Sequence, residues 1–373
     1  MKMNYTIPSV DLYEQYLNIQ DEIDDVIKDV IKSSSFIRGP YVDNFEQMFA
    51  QIMERKYCVS CANGTDSLYI AMRALDVRPG DEVIVPAHSW ISTAETVTQA
   101  GANIVFCDVD KETFTIDPVA LESKITTKTV GVIPVHLYGQ PANMHKIMDI
   151  ADKNRLWVIE DCAQSHLARC NGKLVGTFGI AASYSFYPGK NLGAMGDAGA
   201  ITTNDELLAN KMAMFARHGG LKKGEHQIEG INSRLDGIQA AILSVKLPHL
   251  QNWTRLRQSH ASRYAKMLSP IKEITAPKVA EGLEHVWHLY VVKHEKRDEL
   301  AKYLNSCGIQ TTINYPVALP FLRAYARFQH VPEEFPNAHF NQSRILSIPI
   351  YPELTYEKMD RVVEAIDNYC KLK

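Results

Sequence analysis

The sequence predicts an α/β protein: a large domain with a mostly parallel central sheet flanked by helices, followed by a smaller C-terminal α+β domain. Three observations carry this expectation. Between about residues 40 and 190 an amphipathic stretch, a short Val- and Ile-rich run and a turn recur, the pattern of parallel strands joined by crossover helices. After a further strand at 198–203 the alternation stops, and residues 235–268 read as one long helical stretch. The last hundred residues then mix strand, helix and loop.

The expected strands of the large domain are, in order, YCVSC (57–61), EVIVP (82–86), NIVFC (103–107), VGVIPV (130–135), LWVIED (156–161) and AASYSF (181–186), with AGAITT (198–203) after them. Helices are expected between them at 66–75, 92–99 and 144–153. The stretch 235–268 should break at Pro248, because a proline inside a helix removes a backbone donor and clashes with the preceding turn. Beyond it come a strand at 286–293, a helix at 296–308 and the Pro/Tyr-rich loop NYPVALPFLRAY. The domain boundary falls between 245 and 265, which divides the chain into residues 1–250 and 251–373.

Composition narrows the function classes. Hydrophobic residues are 46% and charged residues 22%, with a net charge of −3, so no broad electrostatic attraction to nucleic acid or membrane is expected. Any anionic ligand must be held by local groups. The N-terminus lacks a signal-like apolar core and no segment approaches the roughly 20 apolar residues of a membrane span, so a soluble cytoplasmic protein is expected. The seven cysteines are scattered, as in a reducing compartment. Cys58 and Cys61 form a CxxC, but residues three apart on a strand point to opposite faces, and no second pair completes four zinc ligands. No metal site is expected.

Four segments carry chemistry. In SYSFYPGKNLGAMGDAGAITT a strand ends, a Pro-Gly turn presents Lys190, and a glycine-rich loop leads into the next strand. Alone, such a lysine reads as a solvated surface charge. LWVIEDCAQSH ends an apolar strand in Asp161 and continues to Gln164; a carboxylate there is a ligand group or a helix cap. Read together, Lys190 and Asp161 match what a pyridoxal cofactor needs: an amine for the Schiff base and a carboxylate that keeps the ring nitrogen protonated. CANGTDSLYIAM supplies a turn and a helix start, capped by Thr65 or Asp66, whose free N–H groups suit a phosphate, with Ser185 able to add a hydroxyl. PAHSWIST sets Trp90 at a strand mouth, where it either stacks on a flat ring or joins the core.

These residues resemble the DegT/DnrJ/EryC1/StrS sugar aminotransferases, within the aspartate aminotransferase-like fold type I pyridoxal-phosphate enzymes. The resemblance runs from GPYVDNFE (39–46) to RILSIPIYPEL (344–354), and ANGTDSL, VHLYGQPA, EDCAQSH, SFYPGKN with GDAGAITT, and NSRLDGIQAAIL are its most specific parts. It implies pyridoxal 5'-phosphate as cofactor, joined to Lys190, with Asp161 on the ring nitrogen, Gln164 on the phenolic oxygen and Trp90 stacked on the ring. Gly64, Thr65 and Ser185 would hold the phosphate, and Asn232 would reach it from the neighbouring subunit of a homodimer. Tyr187 and Tyr315 match positions near the sugar, with His166 a further candidate.

The implied reaction moves an amino group from L-glutamate to C3 of a dTDP-3-keto-6-deoxyhexose, giving a dTDP-3-amino-3,6-dideoxyhexose of the kind used in bacterial surface glycans, such as lipopolysaccharide O-antigen, or antibiotics. Relatives of this branch often carry histidine where Asn314 and Pro320 stand, both in the loop expected over the substrate. The alternatives are a 4-aminotransferase of a nucleotide-linked 4-keto sugar and a non-catalytic, cofactor-binding regulatory protein.

Overall fold

Short runs of buried β-branched and small residues form one seven-stranded sheet in the computed structural model, which describes residues 6–222 and 224–372. Its strands are β1 (Tyr57–Cys61), β2 (Glu82–Pro86), β3 (Asn103–Cys107), β4 (Thr129–Val132) and β5 (Trp157–Asp161). After a two-residue hairpin of β6 (Arg169–Cys170) and β7 (Lys173–Leu174) come β8 (Ala181–Ser185) and β9 (Gly199–Thr203). The spatial order is β1-β9-β8-β5-β4-β2-β3. Strands β3, β2, β4, β5 and β8 run parallel, whereas β9 is antiparallel to both neighbours, pairing Ser185 with Gly199 on one side and Cys61 with Gly199 on the other. The ends of β1 and β8 therefore lie at the same edge of the sheet.

Alternation along each strand feeds two apolar cores. Ile84, Val132 and Val158 join Phe45, Phe49 and Tyr184 in one, while Val83, Ile133 and Ile159 join Leu68 and Ile70 in the other. A third core gathers Tyr264, Tyr290, Leu300, Leu346 and Ile366 with Ile7. It includes β11 (Tyr290–Lys293) paired antiparallel with β12 (Ile345–Ile348), after the short β10 (Leu283–Glu284). This core corresponds to the smaller unit that we infer beyond residue 250; Ile7, bridged to Ile309, joins it from the other end of the chain.

The structure departs from the sequence pattern at particular residues. Strand β4 stops at Val132 because Pro134 has no N–H to offer, and pairing resumes only as an isolated bridge between Val135 and Asp161. The helical stretch divides into Gly237–Lys246, a 3-10 turn at Leu247–His249 holding Pro248, and Leu250–Leu268. Residues 286–289 do not continue β11: Trp287 has φ +51°, and the N–H groups of Val286 and Leu289 instead donate to Gly139 and Tyr138 of the turn after β4.

Candidate active site

The carboxyl ends of β5 and β8, the loop after β1 and Val135 beyond β4 meet at one edge of the sheet. There they line a cavity of about 680 Å³. Gly64, Thr65 and Ser185 line it, as do Trp90, Asp161, Gln164, Tyr187, Lys190 and Tyr315. Open strand edges of this kind are the usual ligand crevice of parallel sheets.

One corner suits a phosphate. The helix there spans Gly64–Ala74, and its cap is Asn63, whose side chain accepts from the Asp66 N–H at 2.8 Å. This corrects the sequence expectation of a cap at Thr65 or Asp66 and a helix from 66. With Asn63 as cap, the N–H groups of Gly64 and Thr65 sit in the first turn with no intrahelical acceptor, at the positive end of the dipole. A Cβ on Gly64 would lie 2.6 Å from the Ser185 Cβ, so only glycine lets the two segments close to this distance. The Thr65 hydroxyl is within 2.7 Å of the Ser92 hydroxyl, which adds a second polar pair to the corner.

The floor carries the amine and the carboxylate. The Pro-Gly turn presents Lys190, and burial lowers its ammonium to a pKa of about 8, an effect that the Asp161 charge opposes. The loop beyond it is tied down by the buried Lys246, whose Nζ donates to the Gly193 carbonyl at 2.8 Å. Asp161 accepts from the Thr93 hydroxyl at 3.1 Å and from the Ala163 N–H at 3.1 Å. Thr93 is itself 2.9 Å from the Ser89 hydroxyl, so a short chain of hydroxyls ends on the carboxylate. Burial raises the Asp161 pKa, while the Ala163 N–H, Lys190 and Thr93 partly offset it. A carboxylate in this state binds a positively charged N–H partner readily.

The strand below Asp161 is anchored by its neighbour. Glu160 is fully buried and accepts N–H donors from Gly176 (2.7 Å), Phe178 (2.7 Å) and Gly179 (2.8 Å), with His136 Nε2 at 3.2 Å. Burial alone pushes this carboxyl up, but His136 and the backbone donors more than reverse it and hold it below the usual range. His136, Glu160 and Cys162 place potential metal ligands within 4.8 Å of one another. The His136 Nδ1 accepts from the Ala142 N–H, so its ring is committed to a hydrogen-bonded link between VHLYGQPA and EDCAQSH.

The mouth is aromatic. Trp90, 56% exposed, faces Tyr315 at 5.3 Å between ring centroids and 44° between planes. Gln164 accepts from the Tyr138 N–H at 2.6 Å and donates to the Tyr315 hydroxyl at 3.1 Å. Tyr138 and His88 both reach the Asn314 carbonyl, and Asn314 turns its Oδ1 to the hydroxyls of Thr312 and Ser347, each at 2.9 Å. Asn314 also lines the cavity.

Two expected site residues stand outside this set. His166 is fully buried among Phe49, Tyr184 and Phe186 and does not line the cavity; burial, with the Lys190 charge second, holds its imidazole at a pKa of about 3. Asn232 is exposed and bridged to Arg217, next to Ser233, whose hydroxyl donates to Asp66 at 2.6 Å. Sequence reasoning missed Asn63, Ser89, Thr93 and His288 as cavity residues. Asn63 could have been found as an Asn ahead of an apolar run, whereas nothing in the alternation of 286–293 marks the bend at Trp287.

A sequence model of the DegT/DnrJ/EryC1/StrS aminotransferase family matches residues 17–367. The dTDP-3-amino-3,6-dideoxy-alpha-D-galactopyranose transaminase of Aneurinibacillus thermoaerophilus is 44% identical over 365 residues, covering 97% of this chain and 99% of that one. A pleiotropic regulatory protein of Geobacillus stearothermophilus is also 44% identical over 365 residues, covering 97% and 98%. Among solved structures, S. venezuelae DesV in complex with a ketimine intermediate has a TM-score of 0.96 at 38% identity, covering 98% of each chain.

Proposed function

Because the chain belongs to the DegT/DnrJ/EryC1/StrS aminotransferase family, we propose that it transfers an amino group from L-glutamate to C3 of a dTDP-3-keto-6-deoxyhexose, releasing 2-oxoglutarate and a dTDP-3-amino-3,6-dideoxyhexose. It is a sugar-nucleotide transaminase of fold type I, and its cofactor is pyridoxal 5'-phosphate. The observation that carries the reading is the convergence, in one cavity, of the Lys190 amine, the Asp161 carboxylate and the open helix start at Gly64–Thr65.

The residues fit that cofactor. Gly64, Thr65 and Ser185 would hold its phosphate, Asp161 would keep a proton on its ring nitrogen, Gln164 would reach its phenolic oxygen and Trp90 would cover the ring. Bound in this way, the cofactor supplies an electron sink for the pair of electrons left when a proton leaves the donor's α-carbon. Lys190 Nζ takes up that proton and releases it again, which requires a neutral amine, and burial brings the lysine near that state at physiological pH. Trp90 and Tyr315 form an aromatic mouth to the cavity, and Tyr187 and Tyr315, which line it, would meet the sugar.

We infer a homodimer with shared sites. The exposed Phe36 and Ile37 flank Asp236, through the Ile37–Asp236 bridge and the Gly237 N–H to Phe36 bond, on the stretch that also holds Asn232. A second subunit covering this strip would bury the apolar side chains and bring Asn232 to its partner's phosphate. Among the described residues no helix is long and apolar enough to cross a membrane, and the use of glutamate and a nucleotide sugar favours work in the cytoplasm on surface-glycan or antibiotic sugars.

The test is incubation with pyridoxal phosphate, glutamate and dTDP-4-keto-6-deoxyglucose, alone and with 3,4-ketoisomerases of each stereochemistry. Amination is expected only after one isomerase has acted, with NMR of the product placing nitrogen on C3. Direct amination of the 4-keto sugar would establish the 4-aminotransferase instead, and absence of 2-oxoglutarate in every mixture would leave the regulatory reading.

A further inference from the structure

Beside Lys190 stands a cavity residue that the alternation had assigned to a strand, His288. Its surroundings decide which ring nitrogen carries the proton. Asn191, adjacent to Lys190 in sequence and 3% exposed, donates its Nδ2–H to the Val286 carbonyl at 3.0 Å. A carbonyl can only accept, so Asn191 must turn its Oδ1 to His288 Nδ1, which lies 3.3 Å away. Nδ1 is then the donor, and Nε2 of the neutral ring keeps a lone pair. Burial first, then the charges of Lys190 and Arg257 and the imidazoles of His166 and His285, hold this ring well below the ordinary histidine pKa. It is therefore neutral in the physiological range.

The backbone of the same residue is held from the other side. Arg257, on the helix Leu250–Leu268, donates through Nη1 to the carbonyls of Ile350 (2.8 Å), Trp287 (3.2 Å) and His288 (3.4 Å). With main chain and ring both fixed, Nε2 is a preorganised acceptor beside the reacting amine.

We propose that His288 Nε2 accepts a hydrogen bond from a substrate hydroxyl on a carbon next to the ketone, which makes His288 a specificity-determining residue for hydroxyketones over simple keto acids. The proposal rests on the transaminase reading above. The two ligands that take turns in this cavity differ in that group: a 3-keto hexose carries a hydroxyl beside its reacting carbon, and glutamate carries none. A neutral lone pair complements the hydroxyl and provides no counter-charge to a carboxylate.

The test separates the two half-reactions in the pyridoxal-phosphate holoenzyme. His288→Asn retains an amide near the Nδ1 position and removes Nε2, whereas His288→Gln returns an amide group near Nε2. In His288→Asn the glutamate half-reaction should stay within about twofold of wild type, while kcat/KM for the keto sugar falls roughly 10- to 100-fold, and His288→Gln should recover part of that loss. Independently of turnover, 15N NMR of the cofactor-free protein should show the His288 proton on Nδ1 and none on Nε2, and Asn191→Ala should abolish that preference. A proton on Nε2, wild-type sugar kinetics in His288→Asn, or equal losses in both half-reactions would each overturn the proposal. If the wild-type protein moves no amine from glutamate, the transaminase reading fails and the proposal falls with it, whichever tautomer NMR shows.

Discussion

Lys190 and Asp161 set each other's protonation, and the structure gives the direction for each. Burial brings the lysine to a pKa of about 8, and the carboxylate charge keeps it from falling further. The apo-protein should therefore capture pyridoxal phosphate faster as pH rises through about 8, well below the ordinary lysine value, because only the free amine attacks. Stopped-flow absorbance at a series of pH values measures this. Asp161→Asn removes the charge that favours the ammonium, so the inflection should move to lower pH, while turnover drops roughly a hundredfold or more because the ring nitrogen loses its proton. An unmoved inflection in Asp161→Asn would mean that the two groups do not share a cavity in solution. These two residues were readable from sequence because their chemistry demands a specific pair; Thr93, which donates to Asp161, and Ser89 behind it are hydroxyls with no such pairing signal in the sequence.

At the scale of elements, every expected strand of the large domain forms within a few residues of its predicted bounds, because each is a buried apolar run ended by a turn residue. The antiparallel sense of β9 was not readable, since period-two burial is the same in either direction. Nor was the bend at 286–289, which tertiary hydrogen bonds to the turn after β4 impose on a strand-like sequence. That turn and β5 are joined by His136 and Glu160, and the link is open to test. Glu160→Gln replaces a carboxylate surrounded by donors with a group that turns an N–H towards one of them, and should cost about 3 kcal/mol in urea unfolding. The sign of the pH dependence follows from the depressed pKa of Glu160. Its stabilisation is complete above the ordinary glutamate pKa and is lost as pH falls through the lower folded-state value. The variant should lack that part of the acid sensitivity, and an unchanged unfolding curve would show the pair to be dispensable.

At the scale of the whole molecule, the site draws on distant parts of the chain. Gly64, Lys190, His288 and Tyr315 all line one cavity, and in the shared-site dimer we propose, Asn232 would come from a partner. Mixing tests the last point. Lys190→Ala and Asn232→Ala homodimers should each be impaired, but a mixed dimer contains one site with both native residues. After random reassociation of equal amounts, activity should recover to about one quarter of wild type. No recovery above the Asn232→Ala parent would place Asn232 on its own subunit's site. Partner contributions of this kind were not derivable from residue spacing in one chain.

The pairing of β1 with β9 has a consequence for how the protein is made. Tyr57 waits for Thr203 to be synthesised before it finds its partner, and Tyr315 and His288 reach the cavity later still. A nascent chain leaving the ribosome thus carries a bare strand edge through much of its birth, and its fate against aggregation depends on how quickly that edge is covered. Every strand of the sheet is thus synthesised before the cavity's last lining residues, His288, Asn314 and Tyr315.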